Sequence, residues 1–141
     1  MNKESEHLSS DEEYYSCNSE LDDGLRVATW NVNSIRSSES ELYSLIETEQ
    51  LDVIMLQETR VKNLNLVKKL GQINTLKAKP KKHKKGGYLS GGQATIALNR
   101  LVLKLDYNNT SEHILVSDLL LEDRPGPELK MNYLKLINVY C

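Results

Sequence analysis

The sequence predicts an α/β domain with a mixed sheet that begins with a strand–helix–strand unit. Two short apolar runs end in polar residues, the first at Asn31 and the second at Gln57. Between them, Leu42, Leu45 and Ile46 recur at the spacing of one helix face. A strand, a helix and a strand within roughly 35 residues form a βαβ unit, whose two strands lie parallel and are joined by a crossover.

The segment before this unit has a different character. Residues 1–24 hold eight acidic residues and one basic residue, Lys3, and show no hydrophobic periodicity. Such a segment cannot bury enough apolar surface to offset its ordering entropy. We interpret it as an acidic disordered leader, with a partner-binding or phosphorylated tail as the alternative. Residues 25–141 are then assigned to one domain.

The individual elements follow from local signals. The first strand is predicted over residues 25–31 and the helix over residues 39–49, where Ser38 and Glu41 have the spacing of a capping box. The second strand is predicted over residues 52–57, an apolar run typical of strands buried on both faces. Turn signals rich in Asn, Pro and Gly separate the remaining strands, which we expect to pair in antiparallel fashion. These strands are predicted over residues 94–98, 101–107, 114–121 and 133–140.

Composition excludes several classes of protein. With 18 basic and 20 acidic residues, the net charge of −2 indicates no whole-chain preference for nucleic acid or membrane. No apolar run approaches the roughly 20 residues that span a bilayer, and the acidic start does not resemble a secretory signal. Cys17 and Cys141 lack metal-ligand spacing, so neither structural zinc nor a disulfide framework is expected. We expect an intracellular protein of the nucleus or cytoplasm, without membrane association.

Two polar side chains are expected to meet at one edge of the sheet. Asn31 closes the first strand and Glu58 follows the second, and parallel strands deliver their carboxyl ends to the same edge. Carboxylate and carboxamide oxygens suit a hard cation such as Mg²⁺, which binds through one or two carboxylates together with water and substrate phosphate. The alternative is that each residue simply begins a loop.

Four sequence motifs carry a resemblance to a known family. In chain order they are ATWNVNSIR at residues 28–36, DVIMLQETR at 52–60, SGGQATIAL at 90–98 and INVY at 137–140. Together they resemble the endonuclease/exonuclease/phosphatase family, which includes exonuclease III-like apurinic endonucleases and retroelement endonucleases. The resemblance runs from Leu25 to the end of the chain. It implies a DNase I-like fold, a two-sheet α/β sandwich of which this chain would supply the N-terminal portion.

The resemblance also implies roles for individual residues. Glu58 would be the carboxylate that binds Mg²⁺ or Mn²⁺. Asn31 would bind the metal or orient the catalytic groups, and Tyr140 would lie near the scissile phosphate. Gln57 and Arg60 would contact the metal-binding residues rather than the metal, and Arg60 stands where the family often has Lys.

The sequence departs from the family after the tyrosine strand. The family's Asp-x-Asn motif, its later acidic metal ligand and its closing Asp-His pair all follow that strand, whereas this chain stops one residue beyond Tyr140. Residues 25–141 are therefore expected to form an incomplete domain, whose inner sheet face would be covered by the missing C-terminal half or by another chain. Glu112 and His113 look like the closing pair but precede Tyr140, so we expect His113 to be a strand-start residue.

A basic segment lies between the second strand and the glycine-rich motif. Residues 60–85 hold ten basic residues and no acidic residue, and residues 77–87 are expected to form a surface loop near the site. In that loop, Lys81, Lys82, Lys84 and Lys85 are candidates for binding nucleic-acid phosphates. A nuclear-import signal and a solvated flexible loop are the alternatives.

Two classes of function remain open at this point. The resemblance implies a Mg²⁺-dependent phosphodiesterase that acts on nucleic acid, with DNA preferred because residues 30–36 look closest to the DNA-repair and retroelement branches. The alternative is a catalytically inactive, truncated or retroelement-derived relative that at most binds nucleic acid through its basic loop. The missing C-terminal motifs distinguish the two, because an enzyme would need them.

Overall fold

The computed structural model describes residues 24–82, 87–121 and 132–141. The predicted leader therefore lies outside the described residues except for Gly24. The helix α1 spans Glu39–Glu49. The strands in the described ranges are β1 (Val27–Asn31), β2 (Val53–Gln57), β3 (Gly71–Leu76), β4 (Lys79–Pro80), β5 (Leu89–Ser90), β6 (Gln93–Leu98), β7 (Val102–Leu105), β8 (Ile114–Leu121) and β9 (Asn132–Val139).

The first sheet is mixed and has the strand order β1-β2-β6-β3. β1 and β2 run parallel, with Asn31 opposite Gln57, as the βαβ unit predicts. β6 runs antiparallel to both β2 and β3. All six residues of β6 are buried, because the strand is central and both of its faces are covered. The α/β class and the mixed sheet predicted from the sequence are confirmed.

Helix α1 covers one face of this sheet. Leu42 is fully buried, and Leu45 and Ile46 pack beside it, so the predicted apolar stripe faces the sheet. The helix has the predicted bounds, but the predicted capping box is wrong. The Ser38 hydroxyl makes no cap hydrogen bond and instead donates to the carbonyl oxygen of Val32 at 3.1 Å.

The second sheet covers the opposite face. It contains β7, β8 and β9 in that order, all antiparallel. Alternate residues of β8 and β9 point toward the first sheet, and they build a second core with the inward residues of β2, β6 and β7. The buried members of this core are Val53, Ala97, Leu103, Leu119 and Leu136.

This packing overturns one expectation. The inner face of residues 94–98 was expected to lack a partner, yet Thr95 and Ala97, which lie on the side of the second sheet, are completely buried. The reason is that the chain itself supplies both sheets. At the margin of the interface, the side chains of Val27 on β1 and Leu134 on β9 stay 40% and 38% exposed.

The pairing of the later strands also differs in part from the prediction. β7, β8 and β9 pair as expected, but β6 pairs with β2 and β3 instead of β7. The short hairpin β4–β5 replaces part of the predicted basic loop, since Lys79 pairs with Ser90. Neither β3 nor this hairpin was predicted. In the described part of the chain, no helix is long and apolar enough to cross a lipid bilayer.

Candidate functional site

Glu58 lies at the carboxyl edge of the parallel strand pair. It follows the last residue of β2 and has a left-handed backbone conformation, with φ of 54°. Its carbonyl oxygen accepts a hydrogen bond from the Ser34 backbone at 2.8 Å, which ties the β1 loop to this position. The residue is 8% exposed, so its carboxylate is largely withdrawn from water.

Both carboxylate oxygens of Glu58 accept hydrogen bonds. The Tyr140 hydroxyl donates to Oε1. Arg60 Nε and the Gly91 amide donate to Oε2, at 3.0 and 3.1 Å. Burial raises the pKa of Glu58, but the hydrogen bonds from Tyr140, Arg60 and Gly91 outweigh burial and hold the pKa below its ordinary value. Glu58 is therefore ionised at neutral pH.

Tyr140 reaches Glu58 from the second sheet. Its backbone amide donates to the carbonyl oxygen of His113 at 3.0 Å, which continues the β8–β9 pairing beyond β9. The hydrogen bond to the Glu58 carboxylate raises the pKa of Tyr140, because an ionised phenol could not donate it. The site thus joins residues from both sheets.

A buried amide cluster fixes β9 against the first sheet. The Asn138 side chain donates to the carbonyl oxygens of Leu56 and Ala94 at 3.0 and 3.1 Å. Its Oδ1 accepts from Gln57 at 2.7 Å, and its backbone carbonyl accepts from Gln93 at 2.7 Å. Asn138 is 1% exposed, so these bonds satisfy a side chain that would otherwise be costly to bury. Gln57 thereby helps to position Tyr140, two residues beyond Asn138.

Gly91 and Gly92 form a tight corner beside Glu58. Their carbonyl oxygens accept from the amides of Arg60 and Thr59, at 2.9 and 3.2 Å. Both have positive φ, and a Cβ at Gly92 would stand 2.3 Å from Thr59 Oγ1. Only glycine allows this approach, so the glycine-rich motif brings the start of β6 against the residues after β2.

These residues line a cavity of about 220 Å³. Its wall combines the two acidic side chains Glu58 and Glu112 with several cationic ones. The full set of lining residues is Glu58, Arg60, Leu76, Lys77, Lys79, Lys81, Ser90, Gly91, Gly92, Gln93, Glu112, His113 and Tyr140. The cavity therefore offers an excess of positive charge around one buried carboxylate.

The structure brings together some of the predicted site residues. Glu58, Arg60 and Tyr140 meet in the cavity wall. Asn31 lies at the same sheet edge, where its Oδ1 accepts from the Asn33 amide at 3.3 Å, but it is not among the described cavity-lining residues. Gln57 points toward the second sheet.

The structure describes only part of the predicted basic loop. Lys81 lines the cavity, and Lys82 is exposed outside it, whereas Lys84 and Lys85 lie outside the described residues. His113 directly precedes β8, as expected, and also lines the cavity. Sequence analysis placed Lys79 only within the basic segment, rejected Glu112 as part of a closing pair and gave Asn138 no role of its own. For Asn138 a signal existed, since it occupies an inward position in an apolar strand.

Possible metal ligands are sparse. Within residues 24–82, 87–121 and 132–141, no three His, Cys, Asp or Glu side chains converge on one point. Cys141 is a free, exposed thiol, while Cys17 lies outside the described residues. The one ionised carboxylate buried at the sheet edge is that of Glu58, among the residues that the structure describes.

Fold and site together define an α/β protein of two packed sheets, with a polar cavity at the carboxyl ends of its parallel strands. The chain belongs to the endonuclease/exonuclease/phosphatase family, whose family model matches residues 28–128. The family resemblance drawn from the motifs is thereby confirmed.

Among solved structures, the chain is similar to the endonuclease domain of TRAS1, a telomere-specific non-LTR retrotransposon. The TM-score is 0.50 at 15% sequence identity, which is a likeness of fold. The match covers 83% of this chain and 46% of that one, so this chain spans less than half the length of the TRAS1 domain. No curated protein matches the chain significantly.

Proposed function

We propose that this chain carries the Glu58 side of a divalent-metal phosphodiesterase site that acts on nucleic acid, with DNA preferred. The observation that carries the proposal is the ionised Glu58 carboxylate, buried at the carboxyl edge of the parallel strands and surrounded by cationic side chains. Membership in a family of endonucleases, exonucleases and phosphatases supports the same reaction class.

The donor set around Glu58 fits Mg²⁺ or Mn²⁺. Such ions commonly bind through one or two carboxylates and complete their shell with water and substrate phosphate. The guanidinium of Arg60 stands 3.0 Å from Glu58 Oε2, so a positively charged side chain already contacts this carboxylate. Glu58 would hold the metal, with Asn31 one strand away as a second oxygen donor. When bound, the metal would stabilise the charged phosphoryl oxygens and the leaving group.

The chain's own side chains would orient the substrate around this carboxylate. Tyr140 donates a hydrogen bond to Glu58 and fixes its rotamer, and Arg60 balances its charge on the other side. Lys81 and Lys82, together with Lys84 and Lys85, would attract the phosphates of the strand by counterion release. Gly91 and Gly92 themselves add no side chain to the approach to Glu58.

The test is a metal titration of the Glu58→Gln variant. Glutamine keeps the size of the side chain and can accept a hydrogen bond, but it removes the charge, so Mg²⁺ and Mn²⁺ binding should be lost while the fold persists. Calorimetry measures affinity, and circular dichroism checks the fold. The matched control is Glu41→Gln, an exposed position on α1, which should bind as the wild type does. Equal affinity in folded wild type and Glu58→Gln would remove Glu58 from the site.

A second candidate function is a non-catalytic nucleic-acid binder, as expected for a decayed relative. The excess of cationic side chains around the cavity favours this alternative, because contact with a phosphate backbone needs no metal. The two are separated by nicking of abasic-site DNA in the presence of Mg²⁺. Nicking that is lost in Glu58→Gln would support the phosphodiesterase, since a positioned catalytic group contributes about 10² to 10⁴ in rate. Binding of the DNA without nicking would support the non-catalytic binder.

A further inference from the structure

Three lysines occupy alternate positions along one side of the cavity. Ala78 is buried, whereas Lys77 and Lys79 on either side of it are exposed and line the cavity. Lys81 continues the alternation after Pro80, and its Nζ lies 5.3 Å from the centroid of the Tyr88 ring, a cation–π arrangement that orients it. In an extended segment, alternate residues are about 6.6 Å apart, so these ammonium groups form a row.

A row of cations suits a ligand that repeats its negative charge. A nucleic-acid strand carries a phosphate at every nucleotide, and grooves that follow such a backbone are lined by cationic side chains. A single phosphate group, such as one on a lipid headgroup, could contact only part of the row. The cavity geometry therefore favours a strand whose phosphates pass Lys77, Lys79 and Lys81 on the way to Glu58.

The middle position of this row is already taken by a carboxylate of the chain itself. Glu112 Oε1 contacts Lys79 Nζ across the cavity. The two side chains are 60% and 67% exposed, and exposed ion pairs contribute little to stability. This pair is therefore readily exchanged for another anion. A phosphate oxygen that bound Lys79 would therefore compete with the Glu112 carboxylate for it.

We propose that Glu112 is an internal competitor, which holds Lys79 in the free protein and is displaced by a phosphate of the bound nucleic-acid strand. This proposal rests on the proposed function and adds to it a residue that controls access to the phosphate row. Because the pair is charge-neutral, it reduces the attraction of the cavity for isolated small anions. A strand with several phosphates replaces Glu112 because it contacts the neighbouring lysines at the same time.

The experiment measures the affinity of the full chain for a fluorescein-labelled oligothymidylate by anisotropy, with EDTA present so that no metal contributes. Glu112→Gln should tighten binding by up to about fivefold, the amount that one exposed ion pair accounts for. Lys79→Gln should weaken it. The decisive comparison is the double variant: with Lys79 replaced, Glu112→Gln should change the affinity much less than it does in the wild type.

Matched controls separate this competition from general electrostatics. Lys104→Gln removes an exposed charge on β7 that does not line the cavity, and should show the full Glu112→Gln effect when the two are combined. An equal Glu112→Gln effect with and without Lys79 would overturn the proposal, since Glu112 would then act by long-range repulsion alone. Absence of oligothymidylate binding, or binding only to vesicles that contain a phosphoinositide, would overturn it too. These affinities are measured without metal and do not depend on metal binding by Glu58. A failed metal titration would therefore count against the proposed function without counting against the competition between Glu112 and a phosphate.

Discussion

At the scale of single residues, the site is built on a strained stretch of backbone. Glu58 and Arg60 both have φ of 54°, whereas Thr59 between them is buried and packs against Gly92. A left-handed conformation costs a non-glycine residue about 1–2 kcal/mol. Here the contacts to the carboxylate and the backbone hydrogen bonds to Gly91 and Gly92 offset that cost. The result is that Glu58 and Arg60 are held side by side above the strand end.

The hydrogen bond from Tyr140 should control the acidity of Glu58. In Tyr140→Phe the effect of burial persists while one of the opposing hydrogen bonds is lost, so the pKa of Glu58 should rise from its lowered value. Titration by NMR of the side-chain carboxyl carbon measures the change. The control is Tyr107→Phe, at an exposed turn position, which should leave that pKa unchanged.

The same substitution has a consequence for stability. Because the pKa of Glu58 in the folded chain lies below its unfolded value, its ionised form contributes stability above the unfolded pKa, and this contribution is lost as the pH falls through the folded pKa. Tyr140→Phe should therefore destabilise the chain at neutral pH, and the difference from wild type should shrink below about pH 4. A difference that stays constant across this range would contradict the assignment.

At the scale of elements, the interface between the two sheets changes character along its length. One end is apolar, with Val53, Ala97 and Leu119. The end nearest the site is polar, where Asn74 donates to Ser117 at 2.9 Å and the Asn138 cluster is buried. Polar groups at this end fix the register of the sheets, since each needs its partner in place.

One buried hydroxyl in this interface is unsatisfied. Thr95 Oγ1, on the central strand β6, has no hydrogen-bond partner among the described residues. Thr95→Val should therefore raise the free energy of unfolding by about 1 kcal/mol, because it removes an unsatisfied polar group at nearly constant shape. Thr75→Val on the neighbouring β3 is the control with the opposite expected sign, since Thr75 donates to the Gln93 carbonyl at 3.0 Å. Urea denaturation measures both, and destabilisation by Thr95→Val would contradict this reading.

Elements defined by local periodicity could be predicted from the sequence, and those defined by distant contacts could not. Helix α1 and strands β1, β2 and β8 follow from their own apolar spacing. β3 has no such signal and exists because it pairs with β6, where a Cβ at Gly71 would stand 1.9 Å from the Ala97 carbonyl oxygen. The Ser38 capping box failed for the same reason, because a tertiary contact with Val32 takes the hydroxyl.

The candidate site, too, could be predicted from the sequence only where a local pattern exists. Glu58 could be placed at a sheet edge from the βαβ pattern alone, and Tyr140 was associated with it only through the family resemblance. The roles of Lys79 and Glu112 depend on a contact between segments 33 residues apart, which no local pattern contains. The functional roles assigned to all of these residues, and to Asn31, Lys81, Lys82, Lys84 and Lys85, stay predictions.

At the scale of the whole molecule, apolar surface remains on the outer face of the second sheet. Alternate residues of β9 point inward, so those between them point away from the first sheet. Tyr133, Ile137 and Val139 are 54%, 54% and 51% exposed, and Val102 on β7 lies on the same face. The sequence predicted instead an inner sheet face that only a C-terminal half or another chain would cover, which is wrong because residues 24–141 themselves supply both packed sheets.

This outer face should govern the solution behaviour of the chain. Exposed apolar surface favours association, even though Lys135 and Asp118 divide this face, so Ile137→Thr should reduce self-association and the binding of a hydrophobic dye. Analytical ultracentrifugation over a concentration series measures the first and fluorescence the second. Tyr107→Ser removes a more exposed aromatic residue, at 81% against 54% for Ile137, from the turn after β7 and should have little effect. Identical sedimentation of wild type and Ile137→Thr at every concentration would show that the face does not mediate association.

The contact between Glu58 and Tyr140 also has a consequence for the order of folding. It joins residues separated by 82 positions, and the Asn138 bonds to Leu56 and Ala94 span 82 and 44 positions. Closing such long loops is entropically unfavourable until the sheets that hold them exist, so contacts of this kind form slowly. During synthesis, Glu58 and the strands β1 and β2 are made long before β9, which carries Asn138, emerges. The site is therefore expected to be among the last features of the molecule to assemble. Protection of the Asn138 amide from hydrogen exchange would report when folding is complete.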